Sequence, residues 1–421
     1  MAGADAETAK FGAVFRVGEF QALWSALVLS IAGDQLARVA LSLLVFARTN
    51  SAALTALTYA LTFLPDLAGG PLLSGLADRY PRREVMVVTD VCRAVLVCLM
   101  ALPGMSLLLV CVLLVIVQLL ASPFNAARGA LLPTMLDGDL FVAGNAIVNI
   151  TYQTGQLAGY VAGGALVAFT GPHVALLIDA ATFVVSAVLV RFGVRARSVA
   201  AAGQRAAGAG FRTTWTGLRF GLRLVWHDRS LRALIGVACV SGFYVVAEGL
   251  AVPYAHQLGG GAITAGLLFA AFPAGNALGM IVLLRFVSPS NRMRLIGPLT
   301  VITCAVLIIC VARLNLVGTL AVLATAGLAA SYQTVAAAAF VRGVPDSGRG
   351  QALGLANTSL RVAQGIGVVL AGVVAEQLLP SVVVAIFGGA GVVCALAVAI
   401  AYWRSEHESS GATSTARTAK A

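Results

Sequence analysis

Charged side chains inside long apolar segments are the residues of this sequence whose types could do chemistry. Asp34 and Arg38 share one such segment at a spacing of four, which puts them on one helix face and lets them form an ion pair. Asp66 and Glu248 lie in two other apolar segments. A carboxylate in lipid is costly unless it is paired or protonated, so we assign these four residues to proton coupling: the three carboxyls bind and release protons, and Arg38 pairs with Asp34. A permanent ion pair is the alternative for Asp34 and Arg38, helix packing is the alternative for Asp66, and Glu248 could instead contact a cationic group of a substrate.

The segments that hold these residues predict a membrane protein. Of the 421 residues, 59% are hydrophobic and only 11% are charged, against about 25% charged in a typical soluble protein. The apolar residues form long blocks, and a block of about 18 or more with few charges is typical of a transmembrane helix. We count twelve blocks, which predicts an all-α membrane protein with twelve transmembrane helices. The blocks are 20–47, 52–76, 84–103, 105–128, 140–169, 172–193, 231–256, 262–286, 293–313, 315–341, 350–378 and 381–403.

The arginines set the orientation of these helices. With twelve spans both termini lie on one side, and the opposite side receives only Arg48 and Arg313 among the loop arginines. The positive-inside rule therefore predicts cytoplasmic termini, and the net charge of +11 reflects topology rather than nucleic-acid binding. The predicted parts are a cytoplasmic N-terminal segment (1–19), a six-helix bundle (20–193), a basic cytoplasmic linker with an amphipathic helix (194–230), a second six-helix bundle (231–403) and a disordered cytoplasmic tail (404–421).

The two halves share a faint internal repeat. Asn149 and Asn357 are 208 residues apart, and the same offset separates Gly159 from Gly367. This offset aligns the fifth span with the eleventh. Together with the central linker, it supports two parallel six-helix repeats.

The loop between the second and third spans reads SGLADRYPRR, and it contains Asp78, Arg79, Arg82 and Arg83. It resembles the G-x-L-a-D-R-x-G-R-R loop motif of the major facilitator superfamily, with serine and proline at the two glycine positions. The resemblance implies the major facilitator fold and a cytoplasmic gate that these four residues control. A simple topology anchor is the alternative. We assign to the same gate three charged residues predicted at the inner ends of nearby spans: Asp90, Arg93 and Arg361.

A second motif lies in the fifth span. Gly155, Gly159, Gly163 and Gly164 have a spacing that allows close approach of another helix. The stretch resembles the G-x-x-x-G-P-x-x-G-G motif of the drug:proton antiporters of this superfamily, with Tyr160 in place of the proline, and ordinary small-residue packing is the alternative. With the phrases GDQ in the first span and IDAATF in the sixth, the whole chain resembles the bacterial efflux permease branch that includes the enterobactin exporter.

Uncharged polar and aromatic residues of the spans are candidates for lining a substrate cavity, because aromatic walls with few polar groups suit flat, amphipathic ligands. Helix packing is the alternative for each of them. The candidates are Gln118, Asn125, Tyr152, Gln156, Tyr244, Asn276, Tyr332, Gln333 and Gln364. Of the remaining acids, Asp179 is predicted to be structural, and Glu376 is predicted to be solvated at the outer end of the eleventh span.

These observations predict a secondary transporter of the bacterial cytoplasmic membrane that works by alternating access. We expect proton-coupled export of a small amphipathic molecule such as an antibiotic, a siderophore or another secondary metabolite, by a monomer in the lipid bilayer. A proton-coupled nutrient importer and a non-transporting sensor or scaffold on the same fold are the alternatives. The sequence has no nucleotide-binding P-loop and no HExxH motif, so we expect neither an enzyme nor a cofactor or metal.

Overall fold

The computed structural model of the protein describes residues 12–65, 69, 73, 76–197, 222, 223, 225, 226, 228–345 and 349–418, apart from the side chains of 77, 78 and 404–418. All regular elements in this part of the chain are helical. The first six helices are α1 (Gly18–Thr49), α2 (Ala52–Leu61), α3 (Leu76–Arg79), α4 (Arg82–Met100), α5 (Leu107–Met135) and α6 (Asp139–Gly193). The others are α7 (Arg229–Cys239), α8 (Ser241–Tyr244), α9 (Val246–Gly249), α10 (Ala251–Gln257), α11 (Ala262–Phe286), α12 (Pro289–Leu307) with a 3₁₀ turn (Ile308–Ala312), α13 (Leu316–Ala330), α14 (Tyr332–Gly343), α15 (Arg349–Val374) and α16 (Pro380–Thr418).

Nine helical stretches of the described residues are long and apolar enough to cross a membrane. One of them, α6, covers two predicted spans, and its backbone breaks at Gly171, whose φ of 79° and ψ of 164° suit glycine; Pro172 follows. Helix α4 is 19 residues long but carries five charged residues. The predicted span 52–76 coincides with α2 only in its first part, and several of its later residues lie outside the described ones. The count of twelve spans and the orientation of the termini stay predictions.

Local sequence explains where several helices begin and end. Helix α1 has an acid in its first turn and a basic residue in its last, which suits the helix dipole, and Asn50 ends it in the left-handed conformation. Side-chain oxygens cap three later helices: Ser106 accepts from the amide of Leu109, Asp228 caps α7, and Asn315 caps α13.

The predicted seventh span consists of four short helices, α7 to α10, separated by single-residue breaks at Val240, Val245 and Leu250. The amides of these three residues still bond to carbonyl oxygens four residues back, so the path of the chain stays helical through them. Near the first break Gly242 lies so close to α15 that a Cβ atom there would be 2.5 Å from the carbonyl oxygen of Ala363.

The chain folds into two compact units. Unit 1 contains Met1–Asn50, Leu61–Arg212 and Gly261–Ala270, and unit 2 contains Ser51–Ala60, Thr213–Gly260 and Ala271–Ala421. Helix α2, from the N-terminal half of the sequence, therefore packs within unit 2, and the first part of α11 packs within unit 1. The predicted division at the linker does not include this exchange.

Each unit has its own apolar core. In unit 1, α1 packs along α6, and α4 packs against α5 and α6. Its core includes Phe20, Met86 and Phe124. In unit 2, α12 packs against α16 and α13, and its core includes Leu231 and Phe340.

Helix α16 continues beyond the predicted end of the twelfth span, to Thr418. The predicted disorder of the tail 404–421 stays a prediction. The predicted amphipathic helix of the linker lies mostly outside the described residues.

Candidate functional site

A buried ionic cluster occupies the middle of unit 1. Arg93 of α4 donates from Nη2 to Oδ1 of Asp34 on α1, at 2.7 Å. The Arg93 side chain is 1% exposed and that of Asp34 is 28% exposed. The guanidinium also lies over the ring of Phe183, 4.1 Å from its centroid. Both the charge and the flat face of the guanidinium therefore have partners.

Asp90 is the second acid of the cluster. It lies three residues before Arg93 on α4, is fully buried, and has Oδ1 3.9 Å from Nη1 of Arg93. The hydroxyl of Ser186 on α6 donates to Oδ2 of Asp90 at 2.6 Å. Oδ1 has no hydrogen-bond partner among the described residues. A buried carboxylate oxygen with an unused lone pair next to a guanidinium is a second place for that guanidinium to bind.

Asp179 of α6 is the third acid, and its side chain is 1% exposed. It interacts electrostatically with both Asp34 and Arg93. Gly33 makes this approach possible, because a Cβ atom at position 33 would collide with the carboxylate of Asp179 and the hydroxyl of Thr182. Asp179, which we predicted to be merely structural, is thus part of the same cluster as Asp34.

Two sequence-based assignments of Asp34, Asp90 and Arg93 need correction. We paired Asp34 with Arg38 on its own helix, whereas the ion-pair partner that the structure gives Asp34 is Arg93 on α4. We assigned Asp90 and Arg93 to the cytoplasmic gate, whereas they lie about 12 Å and 16 Å along α4 from its first residue, Arg82. That depth takes them away from the loop and into the apolar interior. Arg38 is half-buried one turn beyond Asp34.

Arg82 and Arg83, at the start of α4, contact groups close to the loop. Arg82 donates to the carbonyl oxygen of Ala130 at 2.8 Å, which ties the start of α4 to α5. Arg83 pairs with its neighbour Glu84 at 2.7 Å. Two further members of the predicted gate, Arg79 and Arg361, are exposed. Asp66 lies outside the described residues, as does the side chain of Asp78, so the roles predicted for both stay predictions.

Small residues bring α6 against α1 beside Asp34. Cβ atoms at Gly155, Gly159 and Gly163 would lie 2.9 Å from Ile31, 2.8 Å from Gln35 and 3.3 Å from Leu36. These three glycines therefore face the turns of α1 on either side of Asp34. The fourth, Gly164, faces another helix: a Cβ atom there would be 2.7 Å from the backbone of Gly266 on α11. The glycine motif thus positions the helices that carry the acids; the antiporter role that it resembles stays a prediction.

The acid of the broken span, Glu248, lies in unit 2. It is half-buried in α9, and the buried hydroxyl of Tyr59 on α2 donates to its carboxylate. Near the same break, Tyr244 stacks on Phe272 with ring centroids 5.1 Å apart and accepts from Gln333 at 2.5 Å. Unit 2 therefore combines one carboxylate with a group of buried aromatic side chains.

The candidate cavity residues divide between two places. In unit 1, Tyr152 donates to Asn125 at 3.4 Å, and Arg128 lies 5.2 Å from the centre of the Tyr152 ring. In unit 2, Tyr332 is fully buried and donates to the carbonyl oxygen of Val237, which fits the packing alternative. Of the other candidates, Gln118 is buried, and three are half-buried: Gln156, Asn276 and Gln364.

Glu376 is exposed, as predicted, and it also accepts hydrogen bonds from another helix. Its Oε1 accepts from the hydroxyl of Ser51 at 2.6 Å and from the amide of Ala53 at 2.8 Å, so it caps the N-terminus of α2 within unit 2. These hydrogen bonds, the one from Ser51 first, lower the pKa of the Glu376 carboxyl. In the described residues no group of three or more His, Cys, Asp or Glu side chains is arranged to hold a metal ion.

Known proteins share both the sequence pattern and the fold of this chain. A model described as Major Facilitator Superfamily matches residues 23–341 and 249–420. The chain belongs to the major facilitator superfamily. A curated relative, the "Uncharacterized MFS-type transporter YvqJ" of Bacillus subtilis (strain 168), is 28% identical over 264 residues, which are 61% of this chain and 62% of the relative. The match thus spans less than two thirds of that relative's length.

Solved structures of the same fold include several transporters. The nucleoside transporter NupG is 16% identical with a TM-score of 0.69, covering 90% of this chain and 99% of that chain. A bacterial homologue of the iron transporter ferroportin is 12% identical with a TM-score of 0.68, covering 93% and 98%. A POT family transporter is 11% identical with a TM-score of 0.67, covering 91% and 96%. At these identities the likeness to solved structures shows the fold alone, which is the multi-pass helical membrane fold of the major facilitator superfamily.

Sequence reasoning missed two residues that shape the acidic cluster and one residue of a neighbouring polar group. Ser186 holds Asp90, Gly33 makes room for Asp179, and Arg128 stacks on Tyr152 in the neighbouring group. A glycine directly before a membrane acid was a usable signal, because such a residue marks a close helix approach. A single serine in an apolar helix carries no comparable signal.

Proposed function

We propose that this transporter exports a small amphipathic molecule, such as an antibiotic, a siderophore or another secondary metabolite, across the bacterial cytoplasmic membrane in exchange for protons. The observation that carries the proposal is the buried cluster of three acids, Asp34, Asp90 and Asp179, around Arg93. The wider resemblance to efflux permeases gives the direction of transport.

The charges of the cluster support a bound proton. Asp34 and Asp90 lie within 4 Å of the Arg93 guanidinium and Asp179 interacts with it electrostatically; Asp90 and Asp179 are at most 1% exposed. Even if Arg38, one turn from Asp34, is counted as a second cation, three acids stand against two guanidiniums. An unmatched buried carboxylate is expensive, so one proton shared by the three acids balances the cluster. A structural ion pair alone would need one acid rather than three.

The geometry also supplies a way to exchange that proton. Asp34 is the most accessible of the three acids, and its Oδ1 lies 2.7 Å from the Arg93 guanidinium. Oδ1 of Asp90 lies 3.9 Å from the same guanidinium and accepts no hydrogen bond from any described residue. When Asp34 takes up a proton it loses its charge, and Arg93 then moves towards Asp90. When Asp34 releases the proton, the guanidinium returns. Such a two-position arginine links protonation at α1 to a shift between α1 and α4.

We infer the substrate class from the aromatic and acidic side chains of unit 2, and not from the acidic cluster of unit 1. The buried aromatic group around Tyr244 and Phe272 suits flat ligands, and the carboxylate of Glu248 suits a ligand with a cationic group. We therefore expect amphipathic substrates, and cationic ones to depend on Glu248.

The test uses everted membrane vesicles with an acidic lumen, in which an exporter takes substrate up and releases protons. Planar cationic dyes and neutral natural products are added singly, and loss of the pH gradient and substrate uptake are followed together. We expect wild-type vesicles to show both signals for at least one compound and Asp34→Asn vesicles to show neither. Asp137→Asn is the matched control, because Asp137 is an exposed acid in the turn between α5 and α6.

Other outcomes would overturn the proposal. Substrate uptake in right-side-out vesicles, driven by external acid, would show import. Uptake in everted vesicles that persists in Asp34→Asn and in Arg93→Lys, without proton release, would remove the cluster from the coupling mechanism.

A further inference from the structure

A cavity of about 720 Å³ opens at one end of unit 1, away from the acidic cluster. It lies where α1 and α4 begin and where α5 and α6 end, so all four helices contribute the ends that lie on one side of the membrane. The distribution of arginines predicts that this side is cytoplasmic. This cavity has no role in the transport mechanism proposed above.

Positive charge dominates the walls of this cavity. Arg83, Arg195 and Arg197 line it, and Glu19 is the acid among the lining residues. Arg197 donates from Nη1 to Glu19 at 2.7 Å, and Nε of Arg195 lies 3.2 Å from the other oxygen of Glu19. If Glu84, the partner of Arg83, is also counted, three guanidiniums face two carboxylates. The cavity therefore has an excess of positive charge that an anion would balance.

The guanidiniums keep N–H groups available for such an anion. Each guanidinium has five N–H donors, and the contacts with Glu19 engage Nε of Arg195 and Nη1 of Arg197. The Arg195 side chain is 85% exposed, so its remaining donors are accessible from the cavity mouth. Forked donors of this kind match the oxygens of a phosphate group.

The backbone adds a second feature that favours an anion. Helix α1 begins at Gly18, which lines the cavity, and the residue before it, Val17, makes no side-chain capping hydrogen bond. The first amides of a helix have no partner within the helix, and the helix dipole makes this end partially positive. Three arginines and a helix N-terminus thus point to the same ligand chemistry.

An apolar side chain at the rim indicates where the anion comes from. Phe192, at the end of α6, also lines the cavity and is 83% exposed. Phenylalanine is among the apolar residues that proteins bury at the boundary between lipid headgroups and acyl chains. Basic pockets between transmembrane helices on the cytoplasmic side bind anionic headgroups.

We propose that this basic cavity binds a phosphate-bearing anion, and that its source is the headgroup of an anionic phospholipid of the inner leaflet. The phosphate lies among Arg83, Arg195 and Arg197 at the start of α1, and the acyl chains leave past Phe192. Glu19 competes with the phosphate for Arg195 and Arg197.

The test compares lipid binding by purified full-length protein in detergent, measured by native mass spectrometry with dioleoyl phosphatidylglycerol and dioleoyl phosphatidylcholine. We expect wild type to prefer the anionic lipid and the double variant Arg195→Gln/Arg197→Gln to bind it about 30-fold more weakly. The double variant Arg285→Gln/Arg294→Gln loses the same charge from exposed positions outside the cavity and should keep the wild-type preference. An equal loss in both double variants, or no loss in the first, would overturn the proposal.

Two further arms separate the remaining explanations. Glu19→Gln removes the competing carboxylate, so we expect it to bind phosphatidylglycerol more tightly than wild type; this gain could not come from misfolding, and weaker binding would contradict the proposal. Inorganic phosphate at millimolar concentration is the soluble competitor. If it displaces phosphatidylglycerol as effectively as added phosphatidylglycerol does, the source is a soluble phosphate and the lipid assignment is overturned.

Discussion

Replacing Arg93 by methionine is the sharpest perturbation of the acidic cluster. Methionine preserves much of the volume of the side chain in a site that is 1% exposed, but it leaves Asp34, Asp90 and Asp179 without the guanidinium that they face. The removal of one partner from a buried ion pair leaves uncompensated charge in the interior, which costs about 3–5 kcal/mol. The contact of the guanidinium with Phe183 is also lost.

Several features of the structure bear on that magnitude. Asp34 is 28% exposed, so part of its charge stays solvated and its contribution falls towards the lower limit. Asp90 is fully buried and keeps one hydrogen bond, from Ser186, so its contribution is larger. We therefore expect Arg93→Met to destabilise the protein by about 3 kcal/mol at neutral pH. The loss should be smaller in mildly acidic buffer, because carboxyls that gain protons no longer need the guanidinium.

Thermal unfolding in detergent, followed at about pH 7.5 and again at about pH 5.5, measures this effect on the two sides of neutrality. Arg294→Met, at an exposed position of α12, is the control for loss of an arginine. Adding Asp34→Asn to Arg93→Met should recover stability relative to Arg93→Met alone, since it removes one unmatched acid. If Arg93→Met unfolds at the same temperature as Arg294→Met at both pH values, the three acids do not depend on Arg93 and the reasoning fails.

Three more predictions address the packing around the cluster and the acids of unit 2. Glu376→Gln should destabilise the protein by on the order of 0.5 kcal/mol, because it weakens an exposed helix cap. Since the pKa of Glu376 is lowered, this stabilisation is present above the ordinary pKa of 4.5 and is lost as the pH falls through the lowered value. The thermal unfolding temperatures of variant and wild type should therefore converge only in strong acid. Gly164→Ala should abolish folded protein or transport, because its Cβ would lie 2.7 Å from the backbone of a neighbouring helix, whereas Gly389→Ala, with open space around it, should behave as wild type in size-exclusion chromatography and transport. Tyr59→Phe removes a hydrogen bond to the carboxylate of Glu248 and should destabilise the protein by about 1–3 kcal/mol. It should also weaken the uptake of cationic compounds more than that of neutral ones. Equal effects on both classes of compound would show that Glu248 does not bind the substrate.

The sequence was sufficient for the class of fold because lipid imposes a simple pattern. Long apolar blocks and one-sided arginines indicate a multi-pass helical protein without any knowledge of contacts. The break in α6 at Gly171 and Pro172 was predictable from the sequence because both residues have strong backbone preferences. The short breaks of the seventh span were not predictable, because they fall at Val240, Val245 and Leu250, which are not helix-breaking residues.

The candidate site was predictable only where partners lie close in sequence. Asp34 stood out as an acid in an apolar block, but its partner Arg93 is 59 residues away and depends on how α1 and α4 pack. The i, i+4 rule offers neighbours on one helix and cannot rank them against neighbours on another. Glu376 and Ser51 show the same limit, with 325 residues between an acid and the helix that it caps.

The central claim is that the three acids share one proton that transport exchanges. Infrared spectroscopy of the lipid-reconstituted protein tests it directly, because a protonated carboxyl has a carbonyl band that ionised carboxylates lack. The cluster has more acids than guanidiniums, so we expect a protonated-carboxyl band at neutral pH in the wild type and a weaker band in Asp34→Asn, Asp90→Asn or Asp179→Asn, each of which removes one acid from the cluster. The absence of that band in the wild type, or its persistence unchanged in all three variants, would contradict the account.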